Sequence, residues 1–171
     1  MKKLLSLVAV GMLAATTHAA AVGWTIMGTS AYSGGSYDIF VIGLNGVTGV
    51  DQITALVEAG TSVDSYAFAT GTAGTTSSKT AASSGKSITY SGSGTDTYQA
   101  FAVLWKADGK EASYTSVASI EMANDSQSKT FGFANQSSNL AANNFSVAPE
   151  PTSGLLLLLG VAGLALKRTR A

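Results

Sequence analysis

Residues 97–122, TYQAFAVLWKADGKEASYTSVASIEM, constrain the fold more than any other stretch of the chain. In a β-strand, successive side chains point to opposite faces. Tyr98, Ala100, Ala102 and Leu104 therefore point one way and Phe101, Val103 and Trp105 the other, so both faces are apolar. A strand of that kind needs packing material on each side, which predicts a central position. Asp108-Gly109 is a turn dipeptide that tolerates positive φ, and it predicts that the stretch closes as a hairpin.

The neighbouring segments read the same way. SYDIFVIGL (36–44) is a β-branched and aromatic run between Gly34-Gly35 and Asn45-Gly46, the pattern of a buried strand ended by turns. Further strands are predicted near 24–27, 63–70, 87–90 and 129–134. The one helical signal is TGVDQITALVEAG (48–60), in which Ile53, Leu56 and Val57 share a face, Asp51 favours the first turn and Gly60 suits the stop. Six or seven short strands with glycine-rich turns and one short helix predict an all-β fold, a small β-sandwich. All 14 aromatic residues fall within 22–148, enough to build a core, so most of this stretch is predicted to be ordered.

At 171 residues the chain has room for one domain plus terminal signals. Only 12% of residues are charged while 41 are Ser or Thr, so hydroxyls rather than ions keep the surface wet. Fifteen of the 28 residues at 70–97 are Ser or Thr. That segment is either a glycosylated or flexible stalk-like insert, or two edge strands and a long loop.

Both ends carry a distinct pattern. The start, MKKLLSLVAVGMLAATTHAAAV, has a basic region (Lys2, Lys3), an apolar stretch and small residues suited to signal peptidase. Residues 1–19 are predicted to be a helical signal peptide, cleaved after Ala19, with Ala21 as the other position. The far end has an apolar run at 155–166 followed by Lys167, Arg168 and Arg170. As a helix this run measures about 18 Å against a hydrocarbon core of about 30 Å, short for a lasting anchor. Basic residues at both extremes place both ends in the cytoplasm and residues 20–148 outside. Pro149-Glu150-Pro151 holds the chain extended just before the run, which gives a processing enzyme access to the backbone.

Pro149, Glu150 and Pro151, a Gly- and Leu-rich apolar helix and a basic stop of Lys167, Arg168 and Arg170, in that order behind a signal peptide, resemble the PEP-CTERM sorting domain of Gram-negative bacteria. The resemblance covers residues 149–171; Thr169 interrupts a basic stretch that is commonly continuous in that family. It implies export, retention in the inner membrane by the C-terminal helix, and recognition by an exosortase, a membrane-embedded transpeptidase-like Cys enzyme. It also implies an association with surface or extracellular polysaccharide. Signal peptidase, the export machinery and the exosortase are then the partners, and the chain is substrate rather than enzyme.

The composition excludes several chemistries. Without both signals, five lysines face nine carboxylates, a net charge of −4, which is unsuited to nucleic acid. There is no Cys, and the single His, His18, lies in the predicted signal peptide, so triad catalysis and ordinary zinc sites are absent and no cofactor is expected. Asp38, Asp51, Glu58, Asp64, Asp96, Asp108, Glu111, Glu121 and Asp125 are read as surface acids. Two alternatives to a structural or binding role follow. One is a carbohydrate-binding or adhesive module built on Trp24, Trp105 and tyrosines; the other is a secreted hydrolase built on a carboxylate pair.

Overall fold

A computed structural model describes residues 18–27, 29–74, 81–90, 94–123, 128–134 and 136–148, with 81–85 described by backbone alone. In chain order its elements are β1 (His18–Ile26), a 3-10 turn (Ser30–Tyr32), β2 (Ser36–Val41), α1 (Val50–Glu58), β3 (Ala69–Thr72) and β4 (Ala81–Tyr90). They continue with β5 (Asp96–Trp105), β6 (Glu111–Tyr114), β7 (Ala118–Met122), β8 (Lys129–Phe133), α2 (Ser137–Ala142) and β9 (Asn144–Ser146). The expected all-β class is observed as two sheets. One runs β4-β1-β8, and the other runs β3-β2-β5-β6-β9 with β7 also paired to β5.

The central position predicted for 97–105 is observed. β5 pairs with β2 along one edge and with β6 and β7 along the other. Its Ala100, Ala102 and Leu104 join Tyr37, Ile39 and Val41 of β2 in a core shared with the other sheet, which contributes Val22, Trp24, Ile26, Phe131 and Phe133. Phe101 and Val103 turn to the opposite face and meet Phe40, Ile53 and Val57. Helix α1 therefore packs outside the larger sheet through the face read from 48–60, and Gly60, at φ 68°, ends it as expected.

Close backbone approaches explain two glycines. A Cβ on Gly35 would sit 1.9 Å from the carbonyl oxygen of Trp105, so the start of β2 lies against the end of β5 only because no side chain intervenes. Across the sheet, Tyr37 lies over Gly71, where a Cβ would come within 2.4 Å of the phenol oxygen. That phenol accepts a hydrogen bond from Trp24 Nε1 at 3.2 Å, tying the two sheets together inside the core.

Several expectations need correction. The hairpin closes at Asp108-Gly109, with Gly109 at φ 68°, but its return arm is two strands. Between them Thr115 donates its N–H to Ala102 O, and its Oγ1 accepts the Ala102 N–H, so a side chain stands in for one rung of the ladder. The strand expected at 63–70 begins only at Ala69, because 64–66 form a turn; β1 is longer than 24–27 and starts at His18. A second helix, α2, adds to the single one expected. Buried Gln136 fixes its start, accepting from Ser116 N at 2.9 Å and donating to Ala134 O at 2.8 Å. The Ser/Thr-rich segment supplies β3 and β4, each at the edge of its sheet.

Phe40 and Phe101 are cross-strand partners whose rings stack at 5.4 Å, and both are fully buried. Phe101→Ala is expected to lower stability by about 3–5 kcal/mol in urea unfolding, the range for emptying a core aromatic site.

Candidate functional site

Helix α1 covers only part of the outer face of the larger sheet. Beyond Gly60 the chain turns away, and a cleft of about 540 Å³ opens over Ser36 and Asp38 of β2 and Trp105 of β5. Thr61, Ser62 and Asp64 line it from the α1–β3 connection, Lys106 and Gly109 from the β5–β6 turn. Val147 and Ala148, just after β9, also line it.

Strand alternation puts Asp38 there. Tyr37, Ile39 and Val41 enter the core between the sheets, so Asp38 and Phe40 face the other way. Phe40 is covered by α1, whereas Asp38, two residues earlier, emerges past the helix end into the cleft. Its cross-strand neighbours, Thr70 and Val103, carry no charge. Asp38 is only 9% exposed, and among the described residues no hydrogen-bond or ion-pair partner of its carboxyl is found. Burial, and secondarily the charge of Asp64, push its pKa up to about 7. Lys106 also lines the cleft, but its Nζ donates to the Glu111 carboxylate, and that bond is the main cause holding the lysine charged.

The other acids are dispersed. Asp51 sits in the first turn of α1, Glu58 and Glu121 are exposed, and Asp108 accepts the Lys110 N–H at 3.0 Å. Asp96 is half-buried on β5, and Asp125 lies outside the described residues. Trp24 is 3% exposed and belongs to the core, so it offers no platform; Trp105, half-buried, is the aromatic that reaches the cleft. Among the described residues no group of three or more His, Cys, Asp or Glu is placed to hold a metal, and no helix is long and apolar enough to cross a membrane.

Ala19 is exposed near the start of β1, opposite Thr89. Pro149, Glu150, Pro151, the 155–166 run, Lys167, Arg168 and Arg170 lie outside the described residues, as does most of the predicted signal helix. In the sequence alone Asp38 reads as one surface acid among nine. The signal that marks it is its place, a lone charge inside the otherwise buried run YDIFV. No protein-family model, no curated protein and no solved structure matches the chain.

The raised Asp38 pKa predicts a pH dependence of stability. The folded state holds this proton more tightly than the unfolded chain, whose reference pKa is 3.8, so the penalty for ionisation is absent below about pH 4 and complete above about pH 7. Stability should therefore fall as pH rises through this window. Asp38→Asn removes the penalty and should be more stable than the parent at pH 8, by on the order of 2–4 kcal/mol, with little difference at pH 4. Paired urea titrations at the two pH values measure this.

Proposed function

We propose that the chain is an exported cell-surface or extracellular-matrix-associated protein, delivered by a C-terminal exosortase sorting signal. In this reading residues 20–148 form a small β-sandwich that acts structurally or by binding rather than as an enzyme. The observation that carries the proposal is the ordered set at the C-terminus: Pro149-Glu150-Pro151, a short apolar run, then Lys167, Arg168 and Arg170.

The position of the core is compatible with that organisation. The described elements run from β1, whose first two residues, His18 and Ala19, belong to the predicted signal peptide, to β9, which ends at Ser146. Cleavage after Ala19 would remove only His18 and Ala19 from β1, whereas cleavage after Ala21 would also take Ala20, which is 1% exposed in the core. That difference favours Ala19. A membrane-retained tail on an extended Pro-Glu-Pro segment would present its backbone to a membrane-embedded enzyme, and its removal would free the domain from the membrane.

The two alternatives now differ in support. A row of exposed aromatics, as a carbohydrate platform requires, is not found among the described residues, where the large aromatics are buried or half-buried. Carboxylate-pair hydrolysis has one observation in its favour, the shared cleft of Asp38 and Asp64.

Replacing Pro149, Glu150 and Pro151 together by Ala tests the sorting reading. The variant is expected to accumulate in the inner membrane of the host while the parent protein reaches the outer surface. Equal delivery of the two, followed by cell fractionation and immunoblotting, would contradict it.

A further inference from the structure

The cleft carries a charge problem that the fold does not solve. Asp38 sits in an otherwise apolar strand run, 9% exposed and, among the described residues, without a hydrogen-bond or ion-pair partner. A carboxylate that is mostly buried and unpaired at the floor of a cleft is held at a cost that a cationic partner would lower. A second acid, Asp64, on the wall of the same cleft, adds to the cost of its charge. Lys106, the one cationic side chain lining the cleft among the described residues, is engaged by Glu111. A guest bearing positive charge would offset the burial of Asp38 and its repulsion by Asp64 together.

Size and lining narrow the guest further. The space of about 540 Å³ matches small-molecule sites, which run from about 300 to 1,000 Å³. No third acid or His joins the pair among the described residues, so a bare metal ion would find few ligands relative to the six to eight oxygens calcium takes. Trp105 lines the cleft from the same sheet face as Asp38, and an indole attracts both apolar bodies and ammonium groups. Ser36, Thr61, Ser62 and Thr72 add hydroxyls for the remaining polar contacts.

We infer that this cleft is a binding site for a small organic cation, a primary ammonium on an apolar or ring-shaped body. Asp38 and Asp64 meet the charge, and Trp105 meets the body. The site is independent of the sorting signal, and neither needs the other to be correct.

The test uses the full chain in detergent, labelled with ¹⁵N and titrated with cyclohexylamine at pH 7.5. The chain has two tryptophans, which report separately: Trp105 in the cleft, and Trp24 in the core, bonded to Tyr37. Saturable movement of the Trp105 indole N–H with Trp24 unmoved is expected. Cyclohexanol, which keeps the ring and lacks the charge, should bind at least about tenfold more weakly, and Asp38→Asn and Asp64→Asn should each weaken cyclohexylamine binding by roughly tenfold. An unshifted Trp24 resonance in each variant shows that the fold is intact. The inference is overturned if Trp105 does not respond, if cyclohexanol binds as tightly, if both variants bind like the parent, or if only calcium chloride moves the resonance.

Discussion

The structure depends on β5 being apolar on both faces. A strand whose alternate residues are Ala100, Ala102 and Leu104 on one side and Phe101 and Val103 on the other is stable only when both sides are covered. The β4-β1-β8 sheet covers one side and α1 the other, so the fold is a pair of sheets with a helix added outside the larger one. The edge strands, the turns and the cleft follow from what that arrangement covers and what it leaves open. Helix α1 has only nine residues, about 14 Å at 1.5 Å per residue, too short to cover the outer face of β2 and β5 to their ends. The cleft is the uncovered remainder.

Much of this was legible in the sequence where the signal was local. β2, β5 and α1 carry their own periodicity and their own stop residues, and Asp108-Gly109 marks the turn that follows β5. The break between β6 and β7 was not legible, because it depends on Thr115 lying opposite Ala102 across the ladder, a relation set by register rather than by any local pattern. The length of β1 was hidden for another reason. His18, Ala19, Ala20 and Ala21 are small or polar residues that suit signal peptidase, yet in the fold they pair with β4. The parallel pairing of β1 with β8 joins residues more than 100 positions apart, with no sequence cue connecting them.

The site was the least legible part. Asp38 and Asp64 are ordinary acids in a count, and they become a pair only because the α1–β3 connection carries Asp64 back over β2. Trp24 and Trp105 looked equivalent in sequence, whereas strand alternation sends one into the core between the sheets and the other to the opposite face. The proposed sorting signal is the converse case. Its meaning lies in residue types and their order, 149–171, and needs no tertiary contact to be read.

In the proposed reading the two ends are addresses and the domain between them is what is delivered. Intact mass of the protein recovered from the outer surface of its own host tests this most directly. A species beginning at Ala20 and ending within or beside residues 149–151 is predicted. A species that retains residues 152–171 would contradict the account, since the tail would then be a permanent part of the working protein.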